Sequence, residues 1–189
     1  VSTEEMFATA KDLVGHYKKS KAAAEKAALA IADQGPQVTI VNPTTPVGSW
    51  DTKPTPTGRI ILDFMKRNMP AYLDTGMNLV DVEDVAVGHI LALENGRPGE
   101  RYLLGNTNIT LKQLLKMLET ITGIKAPRWK LPYHIALAAG MADQFIEGSL
   151  LKREPFIPLE GIQVSRKPMY VSCQKAIEDL GLPQSPIEN

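Results

Sequence analysis

The chain of 189 residues has little of what marks several large classes of protein. Its single cysteine, Cys173, leaves no partner for an internal disulfide and suits a reducing compartment. Its 21 basic and 21 acidic residues cancel, so no net field draws in nucleic acid or an acidic membrane surface. No apolar run approaches the roughly 20 residues that a membrane helix needs. We therefore expect a cytoplasmic protein with neither a nucleic-acid partner nor an integral membrane segment.

The chain also lacks the spacing of a metal site, although it contains residue types that bind metals. Its histidines, His16, His89 and His134, are scattered, and no two of them stand at ligand spacing. The acidic cluster over residues 81–84 is typical of a helix N-terminus, where carboxylates offset the helix dipole. We therefore predict no metal. Core packing is the default expectation for Trp129 and Phe145, and a buried thiol for Cys173.

What the sequence does have is a tyrosine and a lysine one helical turn apart, Tyr17 and Lys21. Residues at i and i+4 lie on one face of a helix, so the phenol and the ammonium can point at the same spot. A free phenol has a pKa of about 10, and a nearby ammonium lowers it toward neutrality. Such a tyrosine can exchange a proton with a substrate hydroxyl while hydride moves to or from a nicotinamide.

The surrounding pattern indicates an α/β protein, to which an apolar content of 43% is suited. Residues 3–34 are predicted helical, with Ser2 or Thr3 as N-cap and Gly35-Pro36 as the stop. Val38–Val41 is a β-branched run typical of a buried parallel strand. The Pro/Gly loop Asn42–Gly48 leaves its carboxyl end, where open α/β sheets bind ligands.

The rest of the chain alternates helices with short strands. Thr110 and Gly123 bracket one helix with N-cap and C-cap chemistry, and Ser172 is predicted to cap the last one. The expected elements are a loop at 50–57, a helix at 58–68, a hairpin or two short strands within 71–80, a helix at 82–94, strands at 101–104, 128–131 and 169–171, and helices from 132 to about 151, at 159–164 and at 173–180.

Four segments together carry a resemblance to a known family: Tyr17–Lys21, Asn42–Gly48, Asn78–Val85 and Gly99–Gly105. The chain resembles the later half of an extended short-chain dehydrogenase/reductase of the NAD-dependent epimerase/dehydratase type. Within that family it looks most like the hopanoid-associated sugar epimerase branch, which is itself similar to dihydroflavonol-4-reductases. The resemblance implies the later half of a Rossmann-type parallel sheet plus a small, mostly helical substrate-binding part.

The resemblance also implies roles for individual residues. Tyr17 would be the catalytic acid/base, and Lys21 would bind the nicotinamide ribose of NAD or NADP and lower the Tyr17 pKa. The segment from Pro43 through Thr44 to Val47 would hold the nicotinamide, partly through backbone groups. Thr45 would face the small-molecule substrate. Apart from the resemblance, Arg59 in the neighbouring predicted helix is a candidate to supply positive charge to that substrate.

Two departures from the family pattern shape the expectation. The Gly-rich pyrophosphate loop and the third catalytic hydroxyl are absent, so we expect the later part of a longer protein, with the N-terminal nucleotide-binding half missing and the isolated chain inactive. Met77 stands where sugar-nucleotide enzymes often carry an arginine that clamps a phosphate, which favours a substrate without a diphosphate.

We therefore predict an NAD(P)-dependent oxidoreductase acting on a sugar or another secondary alcohol or ketone. The alternatives are a dihydroflavonol-reductase-like ketone reductase and a non-catalytic, nucleotide-sensing or scaffold relative. The predicted Rossmann part is 1–50 with 82–105, and the predicted substrate-binding part is 51–81 with 106–189. The Ala-rich helix that carries Tyr17 is expected to form a homodimer interface, as family members commonly do.

Overall fold

The computed structural model describes residues 1–6, 15–32, 34–145 and 159–188. Within these ranges the fold is of the α/β class, as predicted. The elements in chain order are α1 Gly15–Ala32, β1 Ile40–Pro43, β2 Thr45–Val47, α2 Pro56–Met65, β3 Ala71–Leu73, β4 Gly76–Asp81, α3 Val82–Asn95, β5 Arg101–Leu104, β6 Thr107–Thr110, α4 Leu111–Thr122, β7 Trp129–Leu131, α5 Tyr133–Asp143, α6 Leu159–Val164 and α7 Gln174–Leu180. None of the helices in these ranges is long and apolar enough to cross a membrane.

The chain divides into two compact units. The first comprises residues 1–59, 77–109 and 169–189, and the second comprises 60–76 and 110–168. The C-terminal residues from 169 onward therefore group with β1 and β5, whereas the sequence prediction placed them in the substrate-binding part. The reason is that α7 packs on α3 and β5. Whether the two units correspond to cofactor-binding and substrate-binding parts stays a prediction.

The first unit contains two sheets. Strands β1 and β5 pair in parallel, from Ile40 opposite Arg101 to Pro43 opposite Leu104. The order of the other sheet is β2-β4-β6, and its first pair is also parallel. The strand predicted at Val38–Val41 exists but begins two residues later. Pairing of β1 with β5 begins at Ile40, whose amide donates to the Glu100 carbonyl. Glu100 follows Gly99, which has a φ of 80° in the turn that precedes β5.

The predicted loop over Asn42–Gly48 is largely wrong. Asn42 and Pro43 end β1, and the next strand, β2, begins at Thr45 opposite Leu79. Only Thr44 lies between the two strands, and its amide donates to the Leu104 carbonyl at 3.0 Å. The chain therefore passes from one sheet to the other across a single residue.

The core of the first unit is built on alternate residues of β5. Tyr102 and Leu104 are completely buried, while Arg101 and Leu103, which alternate with them, are half-buried. Apolar side chains of β4, α3 and α7 pack around them, among them Val80, Val85, Ala92, Ala176, Leu180 and Leu182. Burial of each large apolar side chain contributes roughly 1.5–3 kcal/mol, so this cluster holds the two helices on the strands.

The predicted N-terminal helix over 3–34 is only partly confirmed. Helix α1 begins at Gly15, and residues 7–14 lie outside the described ranges. Ser2 forms a parallel bridge with Val171, and residues 4 and 5 form a turn rather than the start of a helix, so the predicted N-cap at Ser2 or Thr3 is wrong. The predicted strand at 169–171 is correspondingly reduced to isolated bridges. Ser172 donates its amide to the Ser2 carbonyl, and the N-cap of α7 is Cys173.

The second unit confirms several predicted helix boundaries. Thr110 and Gln113 form a capping box at the start of α4, and Gly123 ends that helix with a φ of 73°. Helix α6 lies at the predicted Leu159–Val164 and packs on α5. Helix α5 ends at Asp143, and residues 146–151 of its predicted continuation lie outside the described ranges.

Of the two alternatives predicted within 71–80, the second is confirmed, because the short strands β3 and β4 form there and pair with β7 and β2 rather than with each other. One expectation for the second unit was wrong. Trp129 and Phe145 are not core residues, since 78% of Trp129 and 63% of Phe145 is exposed. Trp129 lies in β7, a three-residue strand whose first two side chains face solvent.

Candidate active site

Tyr17 and Lys21 lie on one face of α1, as their spacing predicts. The Lys21 Nζ lies 5.8 Å from the centroid of the Tyr17 ring. Tyr17 is 71% exposed and Lys21 is also exposed, so the phenol and the ammonium are both accessible to a ligand. The face is shared, while the predicted proton transfer by Tyr17 stays a prediction.

Glu25, one turn beyond Lys21, joins α1 to the β1-β5 sheet. Its Oε1 forms an ion pair with the Arg101 guanidinium at 2.6 Å, and its Oε2 accepts from Asn42 Nδ2 at 3.2 Å. Helix α1 has no buried residue in its 18-residue span, so these polar contacts position it rather than an apolar face. Tyr17 lies two turns before Glu25, about 12 Å along the helix axis at 1.5 Å per residue.

The segment predicted to hold the nicotinamide has fewer free backbone donors than expected. Pro43 has no amide hydrogen, and the Thr44 amide is bonded to the Leu104 carbonyl. The Thr44 hydroxyl is also engaged, donating to Asn78 Oδ1 at 2.9 Å. Carbonyl oxygens are therefore what Pro43 and Thr44 can offer a cofactor. Thr45 and Val47 lie half-buried in β2, opposite Leu79 and Asp81.

Asn78 is the residue that holds this crossing in place. Its side chain is 1% exposed and makes four hydrogen bonds. Oδ1 accepts from the Thr44 hydroxyl and, at 3.0 Å, from the Asn106 amide. Nδ2 donates to the Asn106 carbonyl at 3.2 Å and to Asn108 Oδ1 at 3.0 Å. The Asn78 side-chain amide thus accepts two hydrogen bonds at its oxygen and donates two from its nitrogen. These bonds connect the end of β1 to β4 and to the turn after β5.

The acidic cluster lies at the N-terminus of α3, as predicted. Asp81 is the N-cap, and its Oδ1 accepts from the Glu83 amide at 2.7 Å. Asp84 has an additional function, because it is 5% exposed and accepts from both the amide and the hydroxyl of Ser185, at 2.7 and 2.8 Å. Asp84 therefore anchors the C-terminal segment to the start of α3.

The remaining predicted residues lie apart from this group. Arg59 is exposed in the first turns of α2, and within the described residues no hydrogen bond or ion pair joins it to Tyr17 or Lys21. In the same part of the chain, no group of three metal-ligating side chains comes together. Burial raises the pKa of the Cys173 thiol, and a thiol with a raised pKa is a weak nucleophile, so this residue is expected to be unreactive.

The residues present fit a nicotinamide nucleotide. An exposed ammonium suits the hydroxyls of a ribose, and the phenol beside it can exchange a proton. Asn42 Oδ1, at the carboxyl end of β1, is buried and has no hydrogen-bond donor among the described residues. An unmatched buried acceptor is unfavourable and is expected to find a donor when the site is complete.

Sequence reasoning missed Glu25, Asn42 and Asn78 as site-building residues. Asn78 carried a signal, because asparagine is disfavoured in strands and stands here among Met77, Leu79 and Val80. A polar side chain in a buried strand requires partners. Glu25 carried no such signal, because an exposed glutamate is ordinary on a helix.

Comparison with known proteins places the chain in a family. A sequence model of the NAD-dependent epimerase/dehydratase family matches residues 2–105, more than half of the chain. The chain belongs to the NAD-dependent epimerase/dehydratase family. The family's description names NAD, in agreement with the predicted nicotinamide cofactor. Its matched region contains Tyr17, Lys21, both strands of the crossing and Asn78.

Two relatives and one solved structure illustrate the breadth of this family. A protein of Synechocystis sp. named as a candidate dihydroflavonol 4-reductase is 48% identical over 180 residues, covering 93% of this chain and 52% of the relative. Sterol demethylase protein B of Methylococcus capsulatus is 32% identical over 167 residues, covering 88% and 51%. The crystal structure of a nucleoside-diphosphate-sugar epimerase from Pseudomonas aeruginosa superimposes with a TM-score of 0.74 at 25% identity, covering 98% and 61%. The chain thus spans about half the length of the curated relatives it matches.

Proposed function

We propose that this chain supplies the catalytic tyrosine and lysine of an NAD(P)-dependent oxidoreductase that acts on a secondary alcohol or ketone. The observation that carries the proposal is the exposed Tyr17–Lys21 pair, with the Lys21 Nζ 5.8 Å from the centroid of the Tyr17 ring, on a helix attached to the end of β1. Bound NAD(P) supplies hydride transfer to or from the carbon that bears the substrate oxygen. The proton transfer that accompanies it is assigned to a residue of this chain.

In this proposal Tyr17 exchanges the proton of the substrate hydroxyl. The Lys21 ammonium stabilises the phenolate by its charge and binds the ribose hydroxyls of the cofactor. Glu25 holds α1 on the β1-β5 sheet, and Asn78 holds Thr44 at the crossing next to the predicted nicotinamide segment. Thr45 is proposed to face the substrate, as the family resemblance implies, and Arg59 to supply positive charge from α2.

Met77 helps to choose among substrate classes. It is 6% exposed within β4, where an arginine in sugar-nucleotide enzymes would meet a diphosphate. A buried thioether cannot replace a bidentate guanidinium. Together with 48% identity to a relative named as a dihydroflavonol 4-reductase, this favours a ketone reductase over a nucleotide-sugar epimerase. The epimerase stays the second candidate because the superimposed structure is named as one.

The two candidates differ in how they use the cofactor. An epimerase returns the hydride to its substrate and needs only catalytic amounts of NAD(P), whereas a reductase consumes one NAD(P)H per product. The test is absorbance of NAD(P)H during turnover by a polypeptide that carries this sequence together with the other half of its relatives. Stoichiometric oxidation supports the reductase, and epimerised sugar without net oxidation supports the epimerase.

Tyr17→Phe and Lys21→Met test the assignment of the catalytic pair in the same polypeptide. Loss of the acid/base is expected to lower kcat about 10²–10⁴-fold with little change in KM for the substrate. Lys21→Met should also weaken cofactor binding, while Lys19→Met, an exposed lysine on the same helix, should leave both unchanged. Full turnover by Tyr17→Phe would contradict the role given to Tyr17. Absence of turnover in the unmodified polypeptide, with all other function unaffected by Tyr17→Phe, would favour the non-catalytic, nucleotide-sensing or scaffold alternative.

We further propose that the isolated chain binds dinucleotide weakly and has no catalytic activity, because it spans only about half the length of its relatives. Fluorescence titration with NADH and NADPH tests this directly, and tight binding by the isolated chain would contradict it.

The homodimer and the cytoplasmic location stay predictions. The absence of buried residues on α1 is compatible with a second copy packing there, which sedimentation equilibrium can check.

A further inference from the structure

The second unit contains a cleft of about 340 Å³ at the ends of two helices. Its apolar lining is Phe64 at the end of α2, which is 2% exposed, with Met69, Ile124 and Pro127. Two cationic residues, Arg67 and Lys125, complete the wall with Gly123, and none of the lining residues is acidic. A cleft with an apolar floor and a few charged groups is the usual form of a small-molecule site.

Arg67 occupies a position that normally favours glycine. Helix α2 ends with the amides of Arg67 and Asn68 donating to the carbonyls of Phe64 and Asp63, and Arg67 has a φ of 58°. Gly123, which ends α4 on another part of the same wall, adopts the same left-handed conformation with a φ of 73°. A side chain is disfavoured there, and such outliers cluster at ligand sites. Arg67 therefore stands at a position where glycine would suit the backbone better.

The charge of the cleft favours a single negative charge. Arg67 and Lys125 contribute two positive charges, and the C-terminal ends of α2 and α4 contribute roughly half a negative charge each. The sum is about one positive charge. Within the described residues Arg67 and Lys125 have no ion-pair partner, whereas Lys116 and Lys130 of the same unit are paired with Glu119 and Asp74.

We propose that this cleft binds an organic monoanion, a carboxylate with an apolar body of about eight carbon atoms. The planar guanidinium of Arg67 matches a carboxylate through two hydrogen bonds, and Lys125 adds a second charge. The body packs on Phe64 and Ile124. At about 30 Å³ for each water-sized volume, 340 Å³ holds roughly ten heavy atoms. All of the residues that line the cleft belong to the second unit, and the proposal does not depend on the proposed function.

Octanoate, with an apolar chain of the right size, is the probe for the test. It is titrated into the 189-residue chain by calorimetry and by NMR, alongside acetate, octan-1-ol and inorganic phosphate. We expect octanoate to bind at least about tenfold more tightly than each of the other three. Equal binding of octan-1-ol would overturn the role of the charge, and tighter binding of phosphate would overturn the ligand class.

Arg67→Gly separates ligand binding from structure. Glycine suits the left-handed backbone, so this variant should melt at the same temperature as the wild type or higher, yet bind octanoate at least tenfold more weakly. Lys125→Gln should weaken binding about threefold to tenfold, and Lys66→Gln, the neighbouring residue outside the cleft, should not. If Arg67→Gly is stabilised and binds octanoate as tightly as the wild type, Arg67 is a helix cap only and the proposal is wrong.

Discussion

The hydroxyl of Thr44 donates to Oδ1 of Asn78 at 2.9 Å, across 34 positions of sequence. Thr44 is the one residue between β1 and β2, and Asn78 lies in the strand that pairs with β2. This contact therefore determines where the chain leaves one sheet and enters the other. The segment that follows contains the residues proposed to meet the nicotinamide and the substrate.

Asn78→Ala is expected to destabilise the protein by about 3 kcal/mol, because it leaves the Thr44 hydroxyl and both main-chain groups of Asn106 without their buried partner. Chemical denaturation in urea measures the loss. The control is Asn95→Ala, an exposed asparagine at the end of α3, which should change stability by less than about 0.5 kcal/mol. A loss of similar size in both variants would contradict the role given to Asn78.

Gly105→Ala should cost about 1–3 kcal/mol through steric overlap. A Cβ at this position would lie 2.3 Å from Asn78 Oδ1 and 2.9 Å from Thr44 Cγ2. Combining it with Asn78→Ala removes the nearer of these atoms, so the double variant should lose less than the sum of the two single losses. Gly181→Ala, where a Cβ meets nothing within 4 Å, serves as the control and should be additive with Asn78→Ala.

Asp84→Asn should release the C-terminal segment. The buried carboxylate accepts two hydrogen bonds from Ser185, and an amide can accept only at its oxygen, so we expect a loss of about 1–3 kcal/mol. Hydrogen exchange at the Ser185 amide and limited proteolysis near residue 185 report the release. Glu83→Gln, an exposed neighbour in the same helical turn, should leave both measurements unchanged.

Glu100 links stability to pH. The hydrogen bond and the charge of Lys175 lower the pKa of the Glu100 carboxyl, at an Oε2 to Nζ distance of 2.6 Å. A lowered folded-state pKa stabilises the protein above the ordinary glutamate pKa of about 4.3, and this contribution is lost as pH falls through the folded value. Glu100→Gln should therefore lower Tm slightly at pH 7 and not at pH 3. The effect is small because the Glu100 side chain is 45% exposed.

The local elements of this protein could be predicted where their signals are short-range. Helix α4 was found from Thr110, Gly123 and a leucine periodicity, all within its own sequence. Strand β5 was found from its apolar run before Gly105. Strand β2 was not, because Thr45-Pro46-Val47 has no strand pattern of its own and is extended only through its pairing with β4, more than 30 residues away.

The candidate site likewise has features that follow from local sequence and features that depend on contacts distant in sequence. The sequence by itself determined that Tyr17 and Lys21 share a face, because the helical repeat places i and i+4 together whatever surrounds the helix. Only the tertiary structure decided how α1 is held, through Glu25, and how the β1-β2 crossing is held, through Asn78. It also brought Arg67 and Lys125 to one cleft. Those contacts join residues that are far apart in sequence, and their partners become defined only once the strands have paired and the helices have packed.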